Sequence, residues 1–446
     1  MDTIAAISTA PDVISAIGVL RLSGPDALTV SDAVFRPADG KLLSQHPRRA
    51  MVLGNLLDRN GCVIDQALAV TFAAGASYTG EDCVEFHCHG SPVVLNEGLD
   101  ALRAAGARLA ARGEFTKRAF LSGNLDLTQA EAVIDLIEAE TAAAARNAVE
   151  QLGGSLRRKI EGVYDSLLDI ASQFYAVVDY PDEDIGDLQA SDILKALASA
   201  EKELRGLLAT FDRGKILRQG VPAAILGRPN VGKSSLLNAL LGYDRAIVTD
   251  IPGTTRDTVE EKAVVGGVLL RLIDTAGLRD TGDAVERLGV ERSRAAMERA
   301  ELLLVVTDGP ETGEDREILR QAEQTGKPVI RVASKRDLGR FGGPGTVSVS
   351  SVTGEGLPEL EKAVADIFPA GCVPAGHILT NARQADAVGR AVEALQGARE
   401  ALERGMTPDA VLTDAEGALH ALGELTGRTL REDLVSRIFE RFCVGK

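Results

Sequence analysis

The sequence contains no tryptophan, and phenylalanine and tyrosine together make up only 4% of its 446 residues. The cores must therefore be built from aliphatic side chains, which dominate the 45% of residues that are hydrophobic. Charged residues account for a further 26%, a balance typical of folded globular domains. At roughly 100–200 residues per domain, a chain of this length predicts about three domains.

Cysteine is scarce and shows no pairing pattern. Five cysteines are widely spaced, without a CxxC pair, at positions 62, 83, 88, 372 and 443. This odd number argues against a disulfide framework and favours a reducing compartment, so we expect a cytoplasmic protein. No apolar run approaches the about 18 residues of a membrane helix, and no basic segment followed by an apolar core opens the chain. We therefore expect neither a membrane partner nor a signal peptide.

Basic residues are in the minority. The chain has 49 Lys and Arg against 65 Asp and Glu, which gives a net charge of −16. Such an excess of negative charge repels polyanions at long range, which argues against a broad, non-specific binder of nucleic acid or of anionic membranes. A local basic patch could still bind RNA.

The composition and the spacing of apolar residues change three times along the sequence. Residues 1–118 contain short β-rich runs, residues 119–219 and 370–446 have apolar positions at helical spacing, and residues 220–369 alternate buried strands with helices. This order predicts an N-terminal α/β domain and an α/β domain with a mostly parallel sheet, the latter inserted between the halves of a split, all-α helical domain. Two independent helical bundles are the alternative for the flanks. Helices are expected over 127–152, 155–178 and 190–212.

A glycine-rich loop, Gly227-Arg-Pro-Asn-Val-Gly232-Lys233-Ser234, follows a predicted strand and precedes a predicted helix. It fits GxxxxGK[ST], in which backbone N–H groups surround phosphates, the lysine neutralises the outer phosphates and the hydroxyl can ligate Mg²⁺. Further along, Asp274-Thr-Ala-Gly277 suits a carboxylate near Mg²⁺ and a γ-phosphate contact. The hydroxyl of Thr254 or Thr255 could complete the Mg²⁺ shell.

A second group of residues points to guanine. Ser334-Lys335-Arg336-Asp337 resembles the NKxD motif of Ras-like GTPases, with serine in place of the usual asparagine. A carboxylate at Asp337 can accept hydrogen bonds from both N1–H and N2–H of guanine, which adenine cannot supply. Ser350-Ser351-Val352 resembles the loop that lies near the base in such enzymes.

The residue that orients the attacking water is not evident from the motifs. Leu278 stands where Ras-like enzymes usually have a glutamine, and leucine cannot orient water. Glu286 lies just downstream and could take that role. Judged from the residues alone, Glu286 could instead be a solvated acid at the start of a helix.

Three more stretches narrow the family. They are Val19-Leu-Arg21-Leu-Ser-Gly-Pro-Asp26, Ser77-Tyr-Thr-Gly-Glu-Asp82 and the final Cys443-Val-Gly-Lys446. Together with the GTPase motifs, they resemble the MnmE (TrmE) family of tRNA-modifying GTPases over essentially the whole chain. The resemblance implies a tetrahydrofolate-binding and dimerisation domain over 1–118, helical halves over 119–219 and 370–446, and a Ras-like G domain over 220–369.

The resemblance also implies an activity and its partners. Family members hydrolyse GTP in a potassium-dependent way and act with the FAD-containing protein MnmG, in a heterotetramer-type complex, on certain tRNAs. The joint reaction installs an aminomethyl-type group at C5 of the wobble uridine. The implied cofactors are GTP, Mg²⁺, K⁺ and 5-formyl-tetrahydrofolate or a related tetrahydrofolate, and the implied assembly is a homodimer formed through the N-terminal domain.

Site residues follow from the same resemblance, position by position. Glu286 would orient water and Cys443 would be catalytic in tRNA modification. Mg²⁺ would be held by Ser234 and Thr255. K⁺ would be held by the Asn230 side chain and by the backbone carbonyls of Thr249, Ile251 and Thr254. The implied GTP-binding residues are Asn230, Val231, Gly232, Lys233, Ser234, Ser235, Thr249, Asp250, Ile251, Pro252, Gly253, Thr254, Thr255, Asp274, Thr275, Ala276, Gly277, Ser334, Lys335, Arg336, Asp337, Ser350, Ser351 and Val352.

The implied folate site consists of Arg21, Glu85, Asn124 and Lys446, with Asn124 in a place where the family has lysine. Other interpretations stay open at this stage. An arginine finger, Arg228 or Arg256, is the alternative to K⁺. A metal could bind the alternating Cys83, Glu85, His87 and His89. A ribosome-assembly GTPase acting as a binding switch is the alternative function, and a scaffold with vestigial nucleotide binding is a third.

Overall fold

The computed structural model of the chain describes residues 2–11, 13–179, 190–243, 261–273, 294–369, 376–428 and 445. By its internal contacts the chain divides into two compact units. One unit comprises Met1–Ile134 and His420–Lys446, and the other comprises Asp135–Leu419. Among the described residues, none of the helices combines the length and the apolar character that crossing a membrane requires.

Short alternating segments build one sheet in the first unit. Its strands are β1 Ile4–Ile7, β2 Ser15–Ser23, β3 Phe35–Pro37, β4 Val52–Leu57, β5 Val63–Phe72, β6 Cys83–Gly90 and β7 Arg108–Leu109. The helices that go with them are α1 Ala27–Val34, α2 Pro92–Ala104 and α3 Glu114–Leu121. The sheet order is β3-β4-β5-β6-β2-β1-β7, and every neighbouring pair is antiparallel except β1 with β7.

The two faces of this sheet have different roles because side chains alternate along each strand. On β2, Leu20 and Leu22 are fully buried in a core that also contains Phe86 and Leu95. Arg21 lies between those leucines and therefore points to the other face, where its register partners are Ala6 on β1 and Glu85 on β6. The first face holds the larger core, and the second carries Arg21 and Glu85 beside a smaller apolar cluster that includes Ala6 and Phe115.

The remaining elements are mostly helical, with a second sheet among them. The helices are α4 Leu127–Ile137, α5 Ala142–Leu152, α6 Ser155–Asp179, α7 Ala190–Leu208, α8 Phe211–Gln219, α9 Lys233–Tyr243, α10 Gly313–Gln324, α11 Leu357–Ile367, α12 Ala382–Glu403 and α13 Pro408–Thr426. The strands are β8 Val221–Leu226, β9 Glu261–Val265, β10 Val268–Leu272, β11 Leu302–Thr307, β12 Val329–Ala333 and β13 Thr346–Ser348. The sheet order β13-β12-β11-β8-β10-β9 is parallel apart from the β9–β10 pair, which confirms the mostly parallel sheet expected from the sequence.

The single helical stretch expected over 127–152 is wrong, since the structure has two helices there. The first ends at Ile137, and Thr141 then caps the second by accepting a hydrogen bond from Ala144 N–H at 3.1 Å. Such a cap satisfies backbone donors that a helix start otherwise leaves unpaired. The stretch expected over 190–212 likewise divides, because α7 ends at Leu208 and α8 begins at Phe211.

The segment 376–380 is held along its backbone by side chains that precede the second sheet in sequence. Gly376 N–H donates to Asn147 Oδ1 at 2.8 Å, and Ser155 Oγ donates to the Gly376 carbonyl at 3.0 Å. The further contacts are Gln151 Nε2 to the Ile378 carbonyl (2.6 Å), Leu379 N–H to Thr210 Oγ1 (3.0 Å) and Thr380 Oγ1 to Asp135 Oδ2 (2.6 Å). Side chains thus replace the ladder of hydrogen bonds that a strand would give this segment.

Helix α8 packs on the same segment without any side chain between the two backbones. A Cβ atom on Gly214 would lie 1.8 Å from the Leu379 carbonyl oxygen and 2.6 Å from its carbonyl carbon. The obstacle is backbone, which cannot rotate aside as a side chain can. This position therefore requires glycine.

We expect Gly214→Ala to destabilise the protein by about 1–3 kcal/mol, the usual cost of forcing an extra methyl group into a filled space. Gly206→Ala is the matched control, because a Cβ there meets nothing within 4 Å. In a helix that exchange stabilises by up to about 1 kcal/mol. Denaturant or thermal melts of both variants make the comparison, and equal effects would contradict the close packing at Gly214.

Candidate functional site

The phosphate loop lies between β8 and α9, as its sequence predicts. Gly227 has a φ of +146°, and a Cβ atom there would lie 2.3 Å from the Val306 carbonyl oxygen. Gly232 has a φ of +100°. The backbone conformation therefore favours glycine at both positions. The loop ends where the first turn of α9 presents unpaired N–H groups. This geometry fits a bound phosphate.

Lys233 points back into the loop. Its ammonium donates to the carbonyls of Gly227 at 2.8 Å and Arg228 at 2.7 Å. Burial lowers the pKa of Lys233 below its ordinary value. A phosphate anion beside the ammonium would oppose that shift by stabilising the charged form. Ser234, the candidate Mg²⁺ ligand, is half-buried next to Lys233, and Ser235 after it is exposed.

The segment 334–337, whose motif predicts guanine binding, is hydrogen-bonded directly to the phosphate loop. Ser334 is 2% exposed, and its hydroxyl donates to the Val231 carbonyl. The Lys335 ammonium donates to the Asn230 carbonyl at 3.0 Å. Both Asn230 and Lys335 adopt positive φ, +62° and +63°. The structure therefore brings these two sequence-predicted groups together.

Asp337 and the Ser350 loop also meet. The buried Ser350 hydroxyl donates to Asp337 Oδ1 at 2.8 Å and accepts a hydrogen bond from Thr353 N–H at 3.1 Å. The backbone N–H of Arg336 donates to the Val349 carbonyl at 3.1 Å. Ser350 thus orients the carboxylate of Asp337, which is exposed and able to receive a base. Ser351 is half-buried beside Ser350, and the neighbouring Val352 is 84% exposed.

Sequence reasoning missed Asp308, which joins these loops. Its carboxylate receives Lys335 at 3.2 Å, Arg340 at 2.8 Å and Arg228 at 3.3 Å. Burial acts to raise the pKa of Asp308, but the Lys335 hydrogen bond and the three positive charges outweigh it and lower that pKa. The only signal in the sequence is the position of Asp308 directly after β11, at the end of a parallel strand.

Arg228 forms ion pairs with Asp315 and Asp308, which argues against its use as an arginine finger. Its Nε donates to Asp315 Oδ1 at 2.7 Å, and the Asp315 side chain is only 1% exposed. Withdrawing Arg228 would leave a buried carboxylate without its counter-ion, which typically costs about 3–5 kcal/mol. The other finger candidate, Arg256, lies outside the described residues.

A cluster of polar and aromatic side chains lies on the second face of the first sheet. Arg21 Nε donates to Glu85 Oε1 at 2.8 Å, and both side chains are about one-fifth exposed, 22% and 18%. The Arg21 guanidinium carbon lies 5.9 Å from the centroid of the Tyr78 ring and 5.7 Å from that of Phe115. The Asn124 side chain donates hydrogen bonds to the backbone carbonyls of Ser77 and Tyr78, in the loop between β5 and β6. Arg21, Glu85 and Asn124 therefore belong to one region around Tyr78, and their assignment to a folate site stays a prediction.

The last described residue reaches the same unit. The Ser8 hydroxyl donates to the Gly445 carbonyl at 3.1 Å. Gly445 has a φ of +96°, and a Cβ there would lie 2.4 Å from the Ile7 carbonyl oxygen. Ile7 ends β1, the strand that pairs with β2 next to Arg21.

Several predicted site residues lie outside the described residues. These are Thr249, Asp250, Ile251, Pro252, Gly253, Thr254, Thr255, Asp274, Thr275, Ala276, Gly277, Glu286, Cys443 and Lys446. The roles assigned to them stay predictions.

The histidine and cysteine run on β6 gives no metal centre in the described part of the chain, where no group of three or more His, Cys, Asp or Glu side chains is placed to hold an ion. Burial raises the pKa of Cys83 to about 12, so its thiol is a poor ligand. His89 Nδ1 lies 2.7 Å from Asp65 Oδ1, and His87 Nε2 lies 3.6 Å from Glu85 Oε2.

Comparison with known proteins identifies the family. The family model "MnmE helical domain" matches residues 127–443, and "GTP-binding protein TrmE N-terminus" matches residues 3–124. The chain belongs to the MnmE family of tRNA modification GTPases. The resemblance seen in the sequence motifs is thereby confirmed.

Full-length relatives agree with this assignment. The tRNA modification GTPase MnmE of Heliobacterium modesticaldum is 42% identical, covering 100% of this chain and 99% of the relative. The protein of the same name from Chloroflexus aurantiacus is 45% identical, covering 100% of both chains. Among solved structures, the G domain of the T. maritima FeoB iron transporter is 28% identical and covers 33% of this chain and 97% of that chain. Its TM-score of 0.23 is too low to support a structural inference.

We expect Ser334→Ala to weaken binding of GTP and of inosine triphosphate by the same factor. The variant loses the hydrogen bond from Ser334 to the Val231 carbonyl of the phosphate loop. Such a bond is worth about 0.5–1.5 kcal/mol, which corresponds to a roughly three- to tenfold higher Kd. Asp337→Ala is the comparison. Because inosine lacks the 2-amino group, losing the carboxylate should reduce the preference for GTP over inosine triphosphate. If Ser334→Ala changes that preference too, Ser334 reads the base and does not merely join the loops.

Proposed function

We propose that this chain is a cytoplasmic, potassium-dependent GTP hydrolase that acts with an FAD-containing partner on the wobble uridine of certain tRNAs. The joint reaction would install an aminomethyl-type group at C5, with a tetrahydrofolate as the one-carbon donor. The coarser part of this statement, a GTPase of tRNA modification, follows from membership of the MnmE family. The partner, the donor and the ion go beyond family membership and are proposed here.

The observation that carries the proposal is the position of Gly445. Gly445 lies two residues beyond Cys443 in sequence and is bound at Ser8, next to the strand pair that carries Arg21. The contact of Gly445 with Ser8 supports a catalytic role for Cys443 and a ligand role for Lys446 near Arg21 and Glu85. A ribosome-assembly GTPase working as a binding switch has no use for such an arrangement, so the geometry favours modification chemistry.

Nucleotide handling follows from the described loops. Backbone N–H groups around Gly232 and the ammonium of Lys233 would hold the phosphates, and Asp337 would select guanine. Ser234 and Thr255 would hold Mg²⁺. Asn230 is exposed at its positive φ and is available for a cation beside the β- and γ-phosphates, where K⁺ would stabilise developing negative charge. Glu286 would orient the attacking water.

The exposed face of the first sheet supports the proposed homodimer. Leu53 on β4 is 47% exposed and pairs in register with Leu68 on β5, which is 38% exposed. Val63 and Ile17 on the same sheet are 61% and 59% exposed. Exposed apolar residues such as the paired Leu53 and Leu68 mark interaction surfaces, because leaving them in water is unfavourable. A second copy of the N-terminal unit is the proposed occupant.

Potassium dependence is the first test. We expect GTP turnover to fall by about tenfold or more when Na⁺ replaces K⁺, which corresponds to about 1.4 kcal/mol of barrier for each factor of ten. Asn230→Ala should remove most of the difference between the two salts. Equal rates in K⁺ and Na⁺ with the unaltered chain would exclude the ion and favour Arg256.

The test of the whole function is analysis of wobble uridines in tRNA from cells that lack this protein. We expect the modification to disappear and to return when the unaltered chain is supplied. Cys443→Ser should hydrolyse GTP normally and fail to restore the modification, because the thiol lies outside the G domain. Cys62→Ser is the matched control, since Cys62 is exposed on the first unit, and it should restore fully. Restoration by Cys443→Ser would exclude a catalytic role for that thiol.

A further inference from the structure

Asn124 occupies a turn directly after α3. The N–H of Asn124 donates to the Ala119 carbonyl at 2.9 Å, which closes the end of that helix. Its side-chain amide reaches a different segment, the loop between β5 and β6. Nδ2 donates to the Ser77 carbonyl at 3.0 Å and to the Tyr78 carbonyl at 3.1 Å.

These two bonds use the whole donor capacity of the amide, because a carboxamide nitrogen carries two hydrogens. A lysine at this position would instead bring a positive charge on a long, flexible stem. Asn124 therefore does not substitute for a cation directed at an anionic ligand. It fixes the backbone of the loop that carries Tyr78.

Of the two rings near the Arg21 guanidinium, that of Tyr78 belongs to the more exposed residue. Phe115 is completely buried, whereas Tyr78 is 37% exposed. The Tyr78 hydroxyl makes a hydrogen bond with Thr116 Oγ1 at 3.0 Å, so the ring is held at its tip as well as through its backbone. An aromatic face held in this way, beside the Arg21–Glu85 ion pair, suits a flat heteroaromatic ligand with hydrogen-bonding edges.

The part of the loop that follows Tyr78 is restrained by other contacts. Thr79 Oγ1 lies 2.6 Å from Ser23 Oγ, and the Glu81 carboxylate receives Arg118 at 2.9 Å. Gly80 has a φ of +81°, and a Cβ there would lie 2.7 Å from the Ser122 side chain. The carbonyls of Ser77 and Tyr78 are the part that depends on Asn124.

We infer that Asn124 is a positioning residue that holds Tyr78 against Arg21 and thereby shapes a site for a flat heteroaromatic ligand of the pterin type. The ligand class rests on the proposed folate function, whereas the positioning role rests on the contacts of Asn124 alone. A direct contact between Asn124 and the ligand is the rival account.

Amide hydrogen exchange of the ligand-free, full-length protein separates the two. Gly75 N–H donates to the Gly80 carbonyl at 2.8 Å and therefore reports on opening of this loop. We expect Asn124→Ala to speed exchange at Gly75 by about five- to tenfold, as expected for losing about one net hydrogen bond. Asn124→Asp keeps the shape but places carboxylate oxygens against two carbonyls, so it should speed exchange at least as much.

Asn96→Ala is the matched control. Asn96 is an exposed asparagine on α2 of the same unit and also donates to a backbone carbonyl, that of Pro92, at 2.7 Å. Exchange at Gly75 should be unchanged in this variant. Unchanged exchange at Gly75 in both Asn124 variants would overturn the positioning role, whatever they do to a ligand.

Calorimetric titration with 5-formyl-tetrahydrofolate tests the ligand class. We expect Asn124→Ala and Tyr78→Ala to weaken binding by about tenfold and Asn96→Ala to leave it unchanged. Weakened binding by Asn124→Ala without faster exchange would establish the rival account, direct contact. If the unaltered chain does not bind the compound, the folate assignment fails, and the exchange measurement still decides the role of Asn124.

Discussion

The contact between Gly214 and Leu379 is the constraint on which the second unit depends. Two backbones meet there without a side chain between them, one leading into β8 and the other lying after the second sheet in sequence. The side-chain bonds to segment 376–380 fix the second of these backbones at the same place. The strand, the predicted phosphate loop and the helix after it are built on this arrangement, since α8 runs into β8 through Gly220.

Much of the fold could be predicted because its signals are local. The strand at 221–226, the glycine-rich loop and the helix after it are set by periodicity and by backbone conformations that only glycine adopts readily. The break between α4 and α5 was missed because alanine-rich sequence continues across it, and only Thr141 marks the new start. A single capping side chain is a weak signal against a long helical pattern.

The site was predictable where motifs carry it and not where distant residues meet. Ser334, Lys335 and Asp337 could be found from their spacing, but nothing in the sequence shows that Ser334 binds the Val231 carbonyl. The two departures from the family pattern, Ser334 and Asn124, behave alike. Each places a short polar side chain on the backbone of a neighbouring loop. Such bonds depend on tertiary packing, so spacing along the chain does not reveal them.

Loss of the Asp308 carboxylate and loss of one of its cationic partners have unequal consequences. Three cations share its carboxylate, Arg228 from the phosphate loop and Lys335 and Arg340 from the connection between β12 and β13, and Arg228 has a second partner in Asp315. Replacement of any one cation leaves the carboxylate neutralised by the other two, so the cations can drift in evolution one at a time. Replacement of the carboxylate removes the counter-charge of all three cations at once. Tolerance to mutation is therefore distributed unevenly around the nucleotide loops, and it is lower at Asp308, an acidic residue that no motif marks, than at any one of its cationic partners.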